Sequence, residues 1–429
     1  MKNLRSNRRD FIKTASVGGL GVSLLGTDSF GRVYDSDSQS HARASQNSGI
    51  TDTSDAAGEL KITAVKRIFS GRNIFVKIET DKGFFGIGDG TLNTRTAAVA
   101  AVLEALEPVL VNQDPFRIEH IWQDIHRGTF WRGGPVLLSA LSAVDMALWD
   151  IKGKVLNTPV YNLLGGKCRN KIRMYSGCSG TTPDELCRNA EKVIADGYSV
   201  VRICPHDNMV NGNFEPGRQV RVSVKFMREL RRAIGEDVDI LFEVHTRLTP
   251  VRAIELCNAI AEYRPVFVED PLRADSPESF RVLRSHTNVP LGTGEKYGAL
   301  WDYKTIIEED LVDYLRTDVC NCGGISSMRK IAAYGEAHYM EMVPHGLPSL
   351  IGMMAAFHVD MATPNMFVQE GSLRSAGPHL KADAELKDGF VTIGDSPGLG
   401  VTLDESKCPP FATYEHPRLH REDGTIQDW

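Results

Sequence analysis

Three short apolar runs in the middle of this chain each lead to a glutamate: Asp239–Glu243, Val266–Glu269, and the run Pro290–Gly292 that leads to Glu295. Glu243, Glu269 and Glu295 are separated by 26 residues and then 26 again. A strand, a loop, a helix and a return loop use about that length of chain. The spacing therefore predicts successive parallel strands with a carboxylate at the same end of each. A closed sheet would turn the three toward one point, a setting for a hard divalent cation. The phase continues: Asp318 follows Glu295 by 23 residues, His345 follows Asp318 by 27, and Glu370 follows His345 by 25. A single acidic strand end is ordinarily a helix cap or a solvated loop. Six strand ends in phase are a different observation.

The same alternation covers the second half of the chain. Strands are predicted near Ile172–Tyr175, Ser199–Ile203, Asp239–Glu243, Val266–Glu269, Pro290–Gly292, Tyr314–Arg316, Tyr339–Val343 and Met366–Val368. Helical stretches such as Val220–Ile234, Pro250–Tyr263 and Ile325–His338 fall between them. This is an α/β pattern, and eight strands favour a closed parallel barrel over an open sheet. No glycine-rich phosphate fingerprint follows the first strand, which argues against a dinucleotide fold.

Upstream, residues 59–170 run strands first and helices after, an α+β domain. Asn73–Asp81 and Phe84–Ile87 form a hairpin, and Thr94–Leu110 reads as a helix. Asp114-Pro115 is expected to start a helix with Asp114 as its N-cap, and Gly133-Gly134-Pro135 to open Val136–Lys154. Residues 171–379 hold the barrel. Residues 380–429 lack a further unit and are expected to pack on the first domain. At the start, Arg8-Arg9-Asp10-Phe11-Ile12-Lys13 precedes a mildly apolar run, so residues 1–26 resemble a twin-arginine export signal. Residues 27–58 have the polar composition of a disordered linker. A net charge of -6 offers no case for nucleic acid or an anionic membrane. The eight cysteines show no zinc spacing, and Cys320-Asn321-Cys322 reads as a strand end with small residues.

The residue types suggest proton chemistry beside a metal. Removing the proton next to a substrate carboxylate builds a dianion, which a cation neutralises as it forms. The base must titrate near neutrality, and histidine does. Asp318, one strand before His345, is placed to fix the imidazole tautomer. His245 lies two residues past Glu243. On a strand those side chains share a face, so His245 is expected to enter the site as general acid for a leaving hydroxyl. Arg202 is a poor base but a good clamp for carboxylate or hydroxyl groups.

At this point the chain resembles the enolase superfamily, in its mandelate racemase/muconate lactonizing branch, and there the galactonate- and mannonate-type acid-sugar dehydratases. The resemblance spans about residues 60–429. It is carried by Phe130-Trp131-Arg132-Gly133-Gly134, ALSAVDMALWDIKGK, Asn162-Leu163-Leu164-Gly165-Gly166, EVHTRLTP, VEDP, GTGE, CGGIS, VPHG, VQE and the ending DGTIQDW. It implies a capping α+β domain over a (β/α)7β TIM-like barrel that binds Mg²⁺. It further implies Glu243, Glu269 and Glu295 as metal ligands and His345 with Asp318 as the base. His245 would be the acid, Glu370 would lie near the substrate carboxylate, and the subunits would form a homo-oligomer. Arg202, Glu370 and, from the capping domain, Arg132 are expected to bind substrate, although an Arg132–carboxylate pair of purely structural kind is an equal alternative. The chain departs from the resemblance at Glu243, where Asp is commoner, and at Arg202 and Cys204, where racemising and lactonising members carry lysines. No Tyr lies near Phe214, which counts against mannonate. The expected activity is Mg²⁺-dependent dehydration of an aldonic or aldaric acid to a 2-keto-3-deoxy acid, in an exported protein. The alternatives are a racemase or epimerase of a 2-hydroxy acid and a non-catalytic sugar-acid binding protein.

Overall fold

A computed structural model describes residues 60–205, 213–273, 275–346, 349–373, 377–415 and 418–428. All belong to one compact unit spanning residues 57–429. The expected export signal and linker lie outside the described residues.

The chain opens with an antiparallel sheet of β1 (Ile62–Ser70), β2 (Asn73–Thr80) and β3 (Phe85–Asp89). Helices α1 (Thr96–Leu110), α2 (Ile118–Arg127), α3 (Pro135–Val155) and α4 (Val160–Leu163) follow. The expected cap at Asp114 is one turn early. Its carboxylate accepts from the Phe116 N–H at 2.8 Å, which closes a turn ahead of α2. Pro135 does sit in the first turn of α3, as predicted, where its missing N–H costs nothing.

Eight parallel strands come next: β4 (Ile172–Cys178), β5 (Val200–Ile203), β6 (Asp239–Glu243), β7 (Phe267–Glu269), β8 (Leu291–Thr293), β9 (Tyr314–Leu315), β10 (Glu341–Met342) and β11 (Gln369–Glu370). Between them run α5 (Pro183–Ala195), α6 (Pro216–Ile234), α7 (Pro250–Ile260), α8 (Ser279–Arg284), α9 (Lys304–Glu308), α10 (Gly324–Glu336) and α11 (Leu350–Ala362). Strands β4 to β10 pair in sequence order, and β11 pairs with β4. A bridge between Met342 and Met366 completes the ring, so this is a (β/α)7β barrel. The last strand lies slightly later than the predicted Met366–Val368. Among the described residues no helix is long and apolar enough to cross a membrane.

The strand alternation separates floor from mouth. Val200, Leu241, Phe267, Val343 and Val368 pack together, with Tyr175, as a buried cluster inside the ring. Two residues further along the same strands stand Arg202, Glu243, Glu269, His345 and Glu370. These five strands each give an apolar side chain to the interior and a polar one to the rim, as period two requires. The odd neighbours Val201, Ile240, Phe242 and Val268 face outward into the larger core under the helices. Each such side chain contributes about 1.5–3 kcal/mol on burial.

The final segment does more than cover the first sheet. β12 (Leu380–Ala382) pairs with β15 (Val401–Leu403), while β13 (Ala384–Lys387) and β14 (Phe390–Ile393) form a hairpin that adds antiparallel to β4. The segment also meets the first domain: the Leu399 N–H donates to Asp150 Oδ1 at 2.8 Å, the Val160 N–H to Gly398 O at 3.0 Å, the Gly71 N–H to Pro409 O at 3.0 Å and the Ala412 N–H to Gly71 O at 2.8 Å.

Candidate active site

A cavity of about 710 Å³ opens at the C-terminal ends of the strands, with His345 of the rim in its wall. Its walls include His245, Glu295, Asp318, Asn321 and His345 from the barrel, Thr91 and Asn93 from the first domain, and Asp428 near the chain's end. A second concavity of about 300 Å³ shares His245 and is lined by Arg202.

Glu243 and Glu269 come together as expected. With Asp270 they offer carboxylate oxygens within 4.8 Å of one another. Glu295, the third expected ligand, is not in that group. The inward position of β8 is Gly292, where a Cβ would fall 2.7 Å from the Phe267 ring. Glu295 leaves the strand only after Gly294, whose φ is 140°, and its Oε2 lies 3.5 Å from Arg316 Nη2 and 3.6 Å from His345 Nε2.

Charge in this space is unbalanced. Burial pushes the Glu243 carboxyl up to about 7, with Glu295 adding to the push and Arg202 opposing it. Burial raises Glu269 well above the usual carboxylate range against the pull of Arg316, and Glu243 raises it further. Asp270 rises to about 8 for the same reasons, burial first and Glu295 next. Its Oδ1 accepts the Thr293 hydroxyl, and its Oδ2 is buried without a hydrogen bond among the described residues. Glu370 goes the other way: burial would raise it, but Arg316 and Arg202 hold it well below the usual range. Glu295 is lowered too, burial being outweighed by His345 and Arg316. Glu243, Glu269, Asp270, Glu295 and Glu370 thus face the guanidiniums of Arg202 and Arg316. Hard oxygen donors in excess fit a hard cation such as Mg²⁺.

The expected dyad is formed. His345 Nδ1 lies 2.9 Å from Asp318 Oδ2. Burial would lower the imidazole, but Glu295 and Asp318 together lift it to about 10. His245 also reaches the cavity, by a different route from the one expected. It is not on the strand, which stops at Glu243. Its φ is +56° and that of Thr246 is +61°, and its N–H donates to Glu243 Oε1 at 2.6 Å. A left-handed turn, not strand alternation, aims the ring. Arg202 spans Glu243 and Glu370 at 3.5 Å each. Arg132 does not line the larger cavity. It borders a separate concavity of about 450 Å³ with His126, Arg127 and Trp301.

Sequence reasoning missed Arg316 as a site residue. It is fully buried and its Nη2 meets Glu269, Glu295 and Glu370, the last at 2.7 Å. Its Nη1 donates to the Tyr175 hydroxyl at 2.8 Å and the Val343 carbonyl at 3.1 Å. The signal was there: Arg316 precedes Asp318 by two and shares its inward face.

Residues 58–165 match the N-terminal domain family of mandelate racemase / muconate lactonizing enzyme, and residues 185–407 match the enolase C-terminal domain-like family. The chain belongs to the enolase superfamily. This enolase-superfamily chain is 38% identical over 405 residues to D-mannonate dehydratase Caul1427 of Caulobacter sp. (strain K31), covering 86% of this chain and 100% of that one. It is 36% identical over 405 residues to the D-galactonate dehydratase family member RspA of Cellvibrio japonicus (strain Ueda107), with the same coverages. Among solved structures it is similar to an enolase from Pantoea ananatis with bound D-gluconate and Mg, with a TM-score of 0.81 and 31% identity, over 86% of this chain and 99% of that one. The superfamily member described here stands among the acid-sugar dehydratases, which are carbon–oxygen hydro-lyases.

Proposed function

We propose that this enzyme is a Mg²⁺-dependent dehydratase that converts an aldonic or aldaric acid to a 2-keto-3-deoxy acid. The observation that carries the reading is the His345–Asp318 pair at 2.9 Å, with the other imidazole nitrogen 3.6 Å from Glu295 at the cavity. Glu243, Glu269 and Glu295 would hold the cation. Bound there, it supplies the positive charge that neutralises the growing enediolate and relieves the carboxylate field on His345. Asp318 fixes His345 so that Nε2 takes the proton from C2. Strands β6 and β10 are the third and seventh of eight, so His245 approaches from the far side of the ring. It protonates the C3 hydroxyl as the C3–O bond breaks. Water leaves, and the enol tautomerises to the ketone. Arg202 and Glu370 lie side by side at the rim, where they meet the substrate carboxylate and its neighbouring hydroxyl.

A stereochemically complete panel of sugar acids, assayed with Mg²⁺ for 2-keto-3-deoxy products, tests the reading. One or more substrates should turn over. A His345→Asn enzyme that keeps full activity on every such substrate would end it.

We also propose export by the twin-arginine route, supported by Arg8-Arg9 and the apolar run that follows. Residues 1–58 fused to a reporter that works only outside the cytoplasm should direct its export. Export that survives replacement of both arginines by lysine counts against the route.

A further inference from the structure

The loop that follows Asp318 is bonded along its length to a helix of the first domain. Ser139, Ser142, Asp145 and Trp149 occur at spacings of three and four, on one face of α3. That face meets residues 321–326. Asn321 lies against Ser139, the Gly323 N–H donates to Ser142 Oγ at 2.9 Å, and the Ser326 N–H donates to Asp145 Oδ2 at 3.0 Å. Trp149 Nε1 donates to Ser326 Oγ at 2.9 Å. The approach is close enough that a Cβ at Gly324 would lie 2.4 Å from the Asp145 carboxylate.

One rung of this ladder reaches the dyad. Asn321 Nδ2 donates at 2.7 Å to Asp318 Oδ2, the oxygen that faces His345. Asp318 Oδ1 takes the Cys320 N–H at 2.7 Å. The carboxylate plane is therefore fixed by two N–H groups, and the imidazole by the carboxylate. The Asn321 amide has one acceptable orientation, because its oxygen would repel the Asp318 carboxylate. That oxygen instead lies 2.7 Å from Ser139 Oγ. The Ser139 hydroxyl has a second acceptor at the same distance, Pro135 O. The hydroxyl proton is shared between the two oxygens, a three-centre arrangement that keeps the Asn321 amide beside α3.

We propose that Asn321, held by Ser139 of the first-domain helix, is a positioning residue for the base, so that seating of α3 on the barrel sets the aim of His345. The proposal rests on the reading of His345 and Asp318 as the base pair. It assigns Asn321 no contact with substrate, although the residue borders the cavity.

The test uses the full chain with Mg²⁺ on the sugar acids that the wild type turns over. Asn321→Ala should lower kcat roughly 10-fold or more, as loss of an outer hydrogen-bond partner does, with KM nearly unchanged. Ser139→Ala should lower kcat less, Ser139→Thr should restore it, and the Ser139/Asn321 double variant should match Asn321→Ala alone. A raised KM with kcat intact would make Asn321 a substrate contact and overturn the proposal, as would additive effects of the two changes. Thermal unfolding of each variant, expected to be cooperative as in the wild type, checks that it is folded. His345→Asn separates the two claims: a fully active His345→Asn sinks the base assignment, whereas an inactive one beside a fully active Asn321→Ala sinks the relay alone. A crystal structure of Mg²⁺-loaded Asn321→Ala gives a readout free of turnover. The His345–Asp318 contact should be lost or lengthened, and an unchanged pair would overturn the proposal.

Discussion

Arg316 Nη2 donates to Glu370 Oε2 at 2.7 Å, and the same nitrogen meets Glu269 and, at 3.5 Å, Glu295. One buried cation therefore holds together carboxylates from three strand ends. Removing it leaves charges uncompensated out of water, a change of about 3–5 kcal/mol for a broken buried pair. Arg316→Met should lower the urea midpoint accordingly. Arg316→Lys should recover part of the loss at most, because an ammonium cannot fork between Tyr175 and the carboxylates. Wild-type stability in Arg316→Met would show that the pairs contribute nothing net.

Calorimetric titration with Mg²⁺ decides between Glu295 and Asp270 as the third ligand. Asp270 is pushed up to about 8 and gives one oxygen to Thr293, whereas Glu295 is lowered and lines the cavity. Glu269→Gln and Glu295→Gln should each weaken binding by roughly 10-fold or more, and Asp270→Asn by much less. The reverse ranking would put Asp270 in the coordination shell.

The two histidines have separable duties. In D₂O, His345→Asn should lose both exchange of the C2 proton and dehydration, by about 10²–10⁴-fold for a positioned base. His245→Asn should lose dehydration while C2 exchange continues. If His245→Asn stopped exchange and His345→Asn did not, the roles would be interchanged.

Far from the site, His358 on α11 accepts the Tyr161 N–H at Nδ1, 3.2 Å away, and burial lowers its pKa to about 4. The unfolded chain binds a proton near 6.5, so between those values it holds more protons than the native state. His358 thus contributes stability that is complete above 6.5 and is lost as pH falls toward 4, about 3 kcal/mol in all. Asp145, raised to about 7 by burial, acts with the opposite sign in the same range. Comparing urea unfolding of the wild type and His358→Asn at pH 7 and pH 4.5 isolates the histidine. Equal pH dependence in both would contradict the assignment.

What the sequence revealed was periodic. Near-equal gaps between strand ends located Glu243, Glu269, Asp318, His345 and Glu370 because a barrel repeats its unit and pleats every second residue inward. Glu295 shows where that logic stops: Gly292 takes the inward place on β8, and the glutamate is aimed by the turn at Gly294. His245 reached its expected place through a positive φ that alternation does not encode. Arg132 borders a separate concavity, a placement that a loop position with no period does not encode. Its replacement by alanine should leave kcat/KM within about twofold of wild type. Asn321 and Ser139 were invisible for another reason, since their meeting depends on how two domains dock.

The division of each strand into an interior residue and a rim residue two positions on has an evolutionary corollary. Rim side chains that hold neither the cation nor the proton can be exchanged for others, and so reach new substrates, while the packed layer beneath keeps the barrel closed. Strand β9 is the exception. Arg316 bonds downward to Tyr175 and upward to Glu370, so it couples the two layers. A change at Arg316 should therefore disturb both layers at once, which a change at a single rim residue does not.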